Sequence, residues 1–322
     1  MAKSRAPSSP QTLAEYLQAF ARLNVNRAGG IASPHKPCML LAALGLAEAG
    51  KLVHNQIHFE PPLLERYARF FNIVREPRDH PNPWFPFFHL RSDGFWHLQP
   101  KPGREAALDI LDSARSASVI AENIACVSLD PALHSLVLDP RAREQLRQQL
   151  VVAWFGAFSE PLNVLFEEEH RIDNAEIALR QRIEGNQTAP VEARSDPARS
   201  SAFRRIVTEA YDYRCAASGW RIILSDSTVL VEAAHLVPYV DSHDDDPRNG
   251  IALSPSFHWA LDKHIIAPGP DLKWHVSNTL DGRLPDNRPL LELDGKALLL
   301  PKESAYAPKK PALEWRMSRL AR

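Results

Sequence analysis

Cysteine is scarce in this 322-residue chain: Cys38, Cys126 and Cys215 stand far apart, are odd in number and form no Cys-x-x-Cys pair. That argues against a disulfide framework and excludes a cysteine-based structural zinc site. Long apolar runs are also missing, none approaching the roughly 20 residues of a membrane span. Met1 to Thr12 is polar and rich in Ser and Pro, without the apolar centre of a signal peptide. The expectation is a cytoplasmic protein with no membrane association. No glycine-rich phosphate loop occurs, so no nucleotide cofactor is expected. An excess of positive charge is lacking as well, with 38 Lys and Arg against 39 Asp and Glu. Contact with nucleic acid would therefore have to come from a local patch. Residues 1–120, with 14 basic against 10 acidic residues, are better suited to this than 121–200, with 8 against 13.

What is present is concentrated between Cys215 and Ile266. His235 closes the β-branched run around Val229 to Val231, just before the breaker Pro238, which places it at a strand terminus. Asn249 follows in an Asn-Gly pair that reads as a turn before the short strand Ile251 to Leu253. His258 then falls in a helix that Ser254 or Ser256 could cap, with Asp262 one turn later on the same face. An imidazole, an amide and a second imidazole over a carboxylate, on a hairpin and a helix, form a metal-dependent hydrolase constellation.

The order and spacing of these residues resemble the HNH nucleases, whose β-hairpin and helix clasp one divalent cation. The resemblance implies that His235 is the general base, Asn249 the central Asn and His258 a metal ligand, with Asp262 a further ligand. Many relatives carry Asp or His directly before the base, where this chain has Ala234. The thinner ligand set points to Mg²⁺ or Mn²⁺ completed by waters and DNA phosphate oxygens, rather than a tightly held Zn²⁺. Glu232 would join only on a bulged strand, because three residues along a regular strand reverses the face. The acidic run Asp241 to Asp246 reads as a solvated loop.

Towards the N-terminus, Leu13 to Arg27 carries a helical apolar stripe, and Ser33-Pro34-His35-Lys36-Pro37 leads into an apolar helix over Cys38 to Ala49. Leu63 to Ile73 is another helical stripe. Asn82 to Leu90, NPWFPFFHL, reads as an aromatic strand, and Phe95 to Leu98 as its returning partner across the turn Arg91 to Gly94. A Pro flanked by aromatics makes a rigid apolar surface suited to a preformed pocket.

This combination resembles the sulfur-binding domain of restriction endonucleases that act on phosphorothioate DNA, in which sulfur replaces a non-bridging phosphate oxygen. The resemblance implies a pocket of Phe85 and Pro86, with His89 three positions beyond the Pro, and DNA contacts from His35 and Lys36. Phe85 stands where the family has Tyr, and His89 where it has a small residue. In that family the domain precedes an HNH domain, the order found here.

The resulting expectation is an α+β protein of two domains joined by helices: an α/β sulfur-binding reader over 13–130, a helical connector and linker over 131–200, and a ββα-metal nuclease over 201–322. Gly185 to Ser200 is the linker candidate, and Trp315 the anchor of a docked tail. The function expected is a restriction endonuclease cutting phosphorothioate-modified double-stranded DNA, with a homodimer to cut both strands. The alternatives are an HNH restriction enzyme reading another modification or unmodified sequence, and a DNA-binding protein with a silent nuclease domain.

Overall fold

The computed structural model describes residues 12–28, 30–77, 79–185, 196–224 and 228–321. The chain divides at His170 and Arg171 into two compact units. Most of the expected linker, 186–195, lies outside the described residues. Among those described, no single helix is long and apolar enough to cross a membrane.

The first unit opens with α1 (Leu13–Ala21), started by a reciprocal capping box between Thr12 and Glu15. Its centre is α2 (His35–Glu48), buried from Lys36 to Ala47. A helix apolar all round has no solvent face to offer, so other elements must wrap it. On one side is α3 (Pro61–Val74), whose buried Arg66 runs across Gly45, where a Cβ would sit 3.0 Å from Arg66 Cδ.

The aromatic segment is not the expected strand: Trp84–His89 forms a short helix, α4. Pro83 is its N-cap, and Pro86 lies in the first turn, where a missing N–H costs no helical hydrogen bond. A continuous aromatic run carries no period with which to tell a strand from a helix. The returning strand is real, as β1 (Trp96–Pro100), but its antiparallel partner is β2 (Ile124–Leu129), with Trp96 opposite Leu129. Next come α5 (Pro131–Leu138) and α6 (Pro140–Trp154). Their residues Leu133, Val137, Leu146 and Leu150 enter this same core, which runs on to Leu165. Residues 131–165 thus pack as part of the first unit. The long α7 (Ser159–Glu184) gives Leu162 and Leu165 to this core, and Ile172 and Leu179 to the second.

The second unit begins with α8 (Pro197–Ala210), N-capped by Asp196 and starting inside the expected linker. The hairpin is β3 (Glu232–His235) against β4 (Gly250–Leu253), in a regular register from Glu232↔Leu253 to His235↔Gly250. It is followed by α9 (Pro255–Asp262), giving the expected ββα unit. A second small pair, β5 (Ile266–Pro268) with β6 (Trp274–Val276), and the C-terminal α10 (Lys310–Ser318) complete the unit.

Gly250 was expected in a turn, yet its φ of −123° is ordinary extended backbone. Space, not a positive φ, selects glycine: a Cβ would lie 2.5 Å from Val207 Cγ2 and 2.7 Å from Phe203 Cζ. Helix α8 therefore lies directly on the hairpin, and burying a ring such as Phe203 contributes about 1.5–3 kcal/mol. Gly250→Ala is expected to destabilise the protein by about 1–3 kcal/mol through overpacking. Urea unfolding checks this, and an unchanged midpoint would contradict the close approach.

Candidate functional site

In the second unit, the hairpin register sets His235 at the end of β3 with its ring lying flat on Phe203, centroids 4.0 Å apart and planes 8° from parallel. Its Nε2 is 3.1 Å from Asp245 Oδ1. Asp245 is only 2% exposed, and Asp246 beside it is buried too, so the acidic run is not the solvated loop expected. Compensation explains this: Asp246 accepts hydrogen bonds from Arg248 and pairs with Lys309 Nζ at 2.6 Å, while Arg199 Nε lies 3.6 Å from Asp245. Although burial opposes it, those donors hold the Asp246 carboxyl below its ordinary range.

Asn249 is buried and acts as a clasp on the loop. Its Oδ1 accepts from Val237 N at 2.9 Å, and its Nδ2 donates to the carbonyls of Val237 and Asp244. The amide thus ties the segment after His235 to the segment carrying Asp245.

On α9, His258 Nδ1 is 2.8 Å from Glu232 Oε2, and its Nε2 is 3.5 Å from Asp262 Oδ2. A carboxylate only accepts, so the Glu232 contact places a hydrogen on Nδ1, while Nε2 is the ring atom that faces Asp262. No bulge is needed. Glu232 shares a strand face with Ala234, the residue that replaces the missing ligand, and not with His235. One imidazole nitrogen and one half-exposed carboxylate fit a hard divalent ion that takes its remaining ligands from water and phosphate. Among the described residues no three His, Cys, Asp or Glu side chains are grouped to hold an ion by themselves.

Sequence reasoning missed Arg316, which anchors the C-terminal tail in place of Trp315, itself only half-buried. The guanidinium is 0% exposed and donates to the carbonyls of His235 at 2.8 Å, Leu236 at 2.7 Å and Leu261 at 3.1 Å. It joins the end of the His235 strand to the end of α9. Burial lowers its pKa to about 10, and its nearby charge adds to the burial that lowers His264.

The first unit holds a cavity of about 590 Å³ that brings together all five expected residues, His35, Lys36, Phe85, Pro86 and His89, with Asn24, Asn26 and Asn82 on its walls. Phe85, on α4, is 38% exposed, and its ring lies nearly parallel to that of His89. His35 has both nitrogens engaged: Nε2 donates to the His80 carbonyl at 2.8 Å, which leaves Nδ1 to accept from Ser33 Oγ at 2.7 Å. Burial lowers the pKa of His35; burial and then the charges of Lys36 and Arg91 lower that of His89. Both shifts favour the uncharged ring.

Lys36 differs from expectation. It is 7% exposed, and its Nζ binds Asp93 Oδ2 at 2.6 Å and Ser92 Oγ at 3.0 Å, so it is no free phosphate contact. The other oxygen of Asp93 accepts from Asn24 N at 2.7 Å, so the pair holds the Asn24 wall in place. The cavity is consequently lined by aromatic, proline and neutral polar groups, with its ammonium already compensated. Such a surface suits a large, polarisable, weakly hydrated atom better than a strongly hydrated oxyanion.

Comparison with known proteins follows the same division. Residues 215–267 match the HNH endonuclease family, and residues 13–165 match the ScoMcrA-like DNA sulfur-binding domain. No curated protein matches the chain. Among solved structures, a modification-dependent TagI restriction endonuclease is similar at 19% identity and a TM-score of 0.32, over 40% of this chain and 40% of that one. The sulfur-binding domain of SprMcrA complexed with phosphorothioated DNA is similar at 19% identity and a TM-score of 0.34, over 45% of this chain and 86% of that one.

Arg316→Met removes a buried donor from three carbonyls at once, and a loss of roughly 2–4 kcal/mol is expected, with Arg316→Lys losing less. Denaturant titration of the three proteins checks it; equal stability for the Met variant and the parent would remove the clamp.

Proposed function

We propose that this chain, an HNH endonuclease domain joined to a ScoMcrA-like DNA sulfur-binding domain, is a modification-dependent restriction endonuclease that recognises phosphorothioate DNA and hydrolyses its backbone. The observation that carries the proposal is the presence in one chain of two complementary sites: a neutral aromatic-proline cavity, and a hairpin-helix bearing His235, Asn249 and His258.

In this reading the cavity of Phe85, Pro86 and His89 receives the sulfur. Discrimination is a difference between two affinities, and it arises because the cavity offers a phosphate oxygen little that replaces its water. The chain's near-zero net charge fits a reader whose selectivity rests on this difference rather than on bulk electrostatic attraction.

At the second site His235 takes the proton of the attacking water, and Asn249 keeps the loop beneath it closed. His258 and Asp262 would hold a divalent ion, Mg²⁺ or Mn²⁺, with Glu232 orienting His258. Such an ion, when bound, supplies charge stabilisation at the scissile phosphate and the departing 3′ oxygen. One such site serves one strand, so cutting both strands calls for two copies of the chain on the DNA.

Three outcomes test the reading. On matched duplexes at one salt concentration, Pro86→Ser or Phe85→Ser should reduce the preference for the sulfur-bearing DNA by about 1–2 kcal/mol, with little change towards the oxygen form. Binding isotherms decide this, and an unchanged ratio in both variants removes the cavity from sulfur recognition. His235→Ala should abolish cleavage without weakening binding, while Asp262→Ala should raise the Mg²⁺ concentration needed for half-maximal rate. Metal titrations of cleavage check the pair; a His235→Ala protein that cuts at the parent rate excludes the nuclease assignment.

A further inference from the structure

We propose that Asp245 is a positioning residue of the nuclease site, selecting the tautomer of His235 so that Nδ1 is the atom that accepts the water's proton. This rests on the nuclease reading above and adds a residue and an atom to it.

A carboxylate has lone pairs and no proton to give, so the 3.1 Å contact between Asp245 Oδ1 and His235 Nε2 requires Nε2 to carry the hydrogen. A neutral imidazole has one N–H, and Nδ1 is then left with the lone pair. Without such a partner the two tautomers would interconvert, and the base would spend part of its time with the wrong nitrogen protonated.

Four further contacts fix the pair. Phe203 stacks on the ring at 4.0 Å, leaving it no freedom to turn about its plane without losing that face. Arg316 holds the His235 carbonyl at 2.8 Å, so the backbone beneath the ring is anchored. On the other side, Asn249 Nδ2 donates to the carbonyl of Asp244, the residue before Asp245, and Arg199 Nε faces the second carboxylate oxygen at 3.6 Å. Asp245 is 2% exposed, so water does not compete for the oxygen that meets Nε2. The central Asn therefore acts on the base indirectly, by holding the loop that carries its orienting carboxylate.

The water oxygen forms its bond to phosphorus, its proton moves to His235 Nδ1, and the bond from phosphorus to the 3′ oxygen breaks with its electron pair on that oxygen. The ring becomes imidazolium, and the Nε2–H bond to Asp245 stabilises the charge that has formed. The 3′ alkoxide takes a proton from solvent water, and the proton on Nδ1 returns to solvent, which restores the neutral ring.

Asp245→Asn tests this at nearly constant shape. An amide can donate to Nε2 and so favours the opposite tautomer, with Nδ1 protonated. The cleavage kcat on phosphorothioate duplex is expected to fall by about 10²–10⁴-fold, while KM for DNA stays within about twofold of the parent. Asp245→Glu should recover part of the loss. A second measurement needs no turnover: ¹⁵N shifts of the His235 ring in the full-length protein, assigned by comparison with His235→Ala, should show Nε2 protonated in the parent and Nδ1 protonated in Asp245→Asn. An Asp245→Asn protein that cuts at the parent kcat, or a parent ring protonated on Nδ1 at neutral pH, overturns the proposal. The two readings separate cleanly, since a parent protein that cuts no duplex sinks the nuclease assignment, whereas the ring tautomer tests Asp245 independently of cleavage.

Discussion

The register of two four-residue strands is the constraint on which the nuclease half depends. Because β3 and β4 pair with His235 opposite Gly250, the missing side chain at Gly250 leaves room for Phe203, and Phe203 in turn provides the surface on which the His235 ring lies. A slip of one residue would turn His235 to the opposite face and bring Glu232 away from His258. The same alternation that separates Glu232 from His235 delivers it to α9, so one strand presents His235 on one face and meets His258 from the other.

Around this hairpin, polar groups are buried only where they are matched. Arg316 is surrounded by carbonyl oxygens, Asp246 by Arg248 and Lys309, and Asn249 uses its amide on three backbone groups. Leaving any of these unmatched would cost about 1–3 kcal/mol, which is comparable with a sizeable part of a domain's net stability. The acidic loop can therefore sit inside the fold, and its carboxylates are available to orient other side chains.

The first unit uses the same economy for a different end. Lys36 spends its charge on Asp93, and burial favours the uncharged form of His35 and His89, so the cavity presents rings and amides with its ammonium already paired. A site built to bind any phosphate would do the reverse. Under the proposed reading, a neutral cavity offers a hydrated phosphate oxygen little and leaves room for a preference based on polarisability and hydration.

Whereas the five cavity residues were implied only by the resemblance to the sulfur-binding domain, the ββα unit and its three polar landmarks could be read from residue order, because they are carried by short contiguous segments whose periods and spacings are local properties. The helices over Leu63 to Ile73 and Cys38 to Ala49 were legible for the same reason. The aromatic run at Trp84 was not, since unbroken apolarity has no period, and the stop signals around it suit a short helix as well as a strand. Nor could the chain order tell which partner each polar group would find. Lys36 meets Asp93 across 57 positions and Arg316 meets Leu236 across 80, and whether an acid such as Asp245 faces water or an imidazole is decided by what packs over it. Hydrogen-bond satisfaction in a close-packed interior is a property of the whole three-dimensional arrangement, so the tertiary fold alone settled which charges are free and which are already answered.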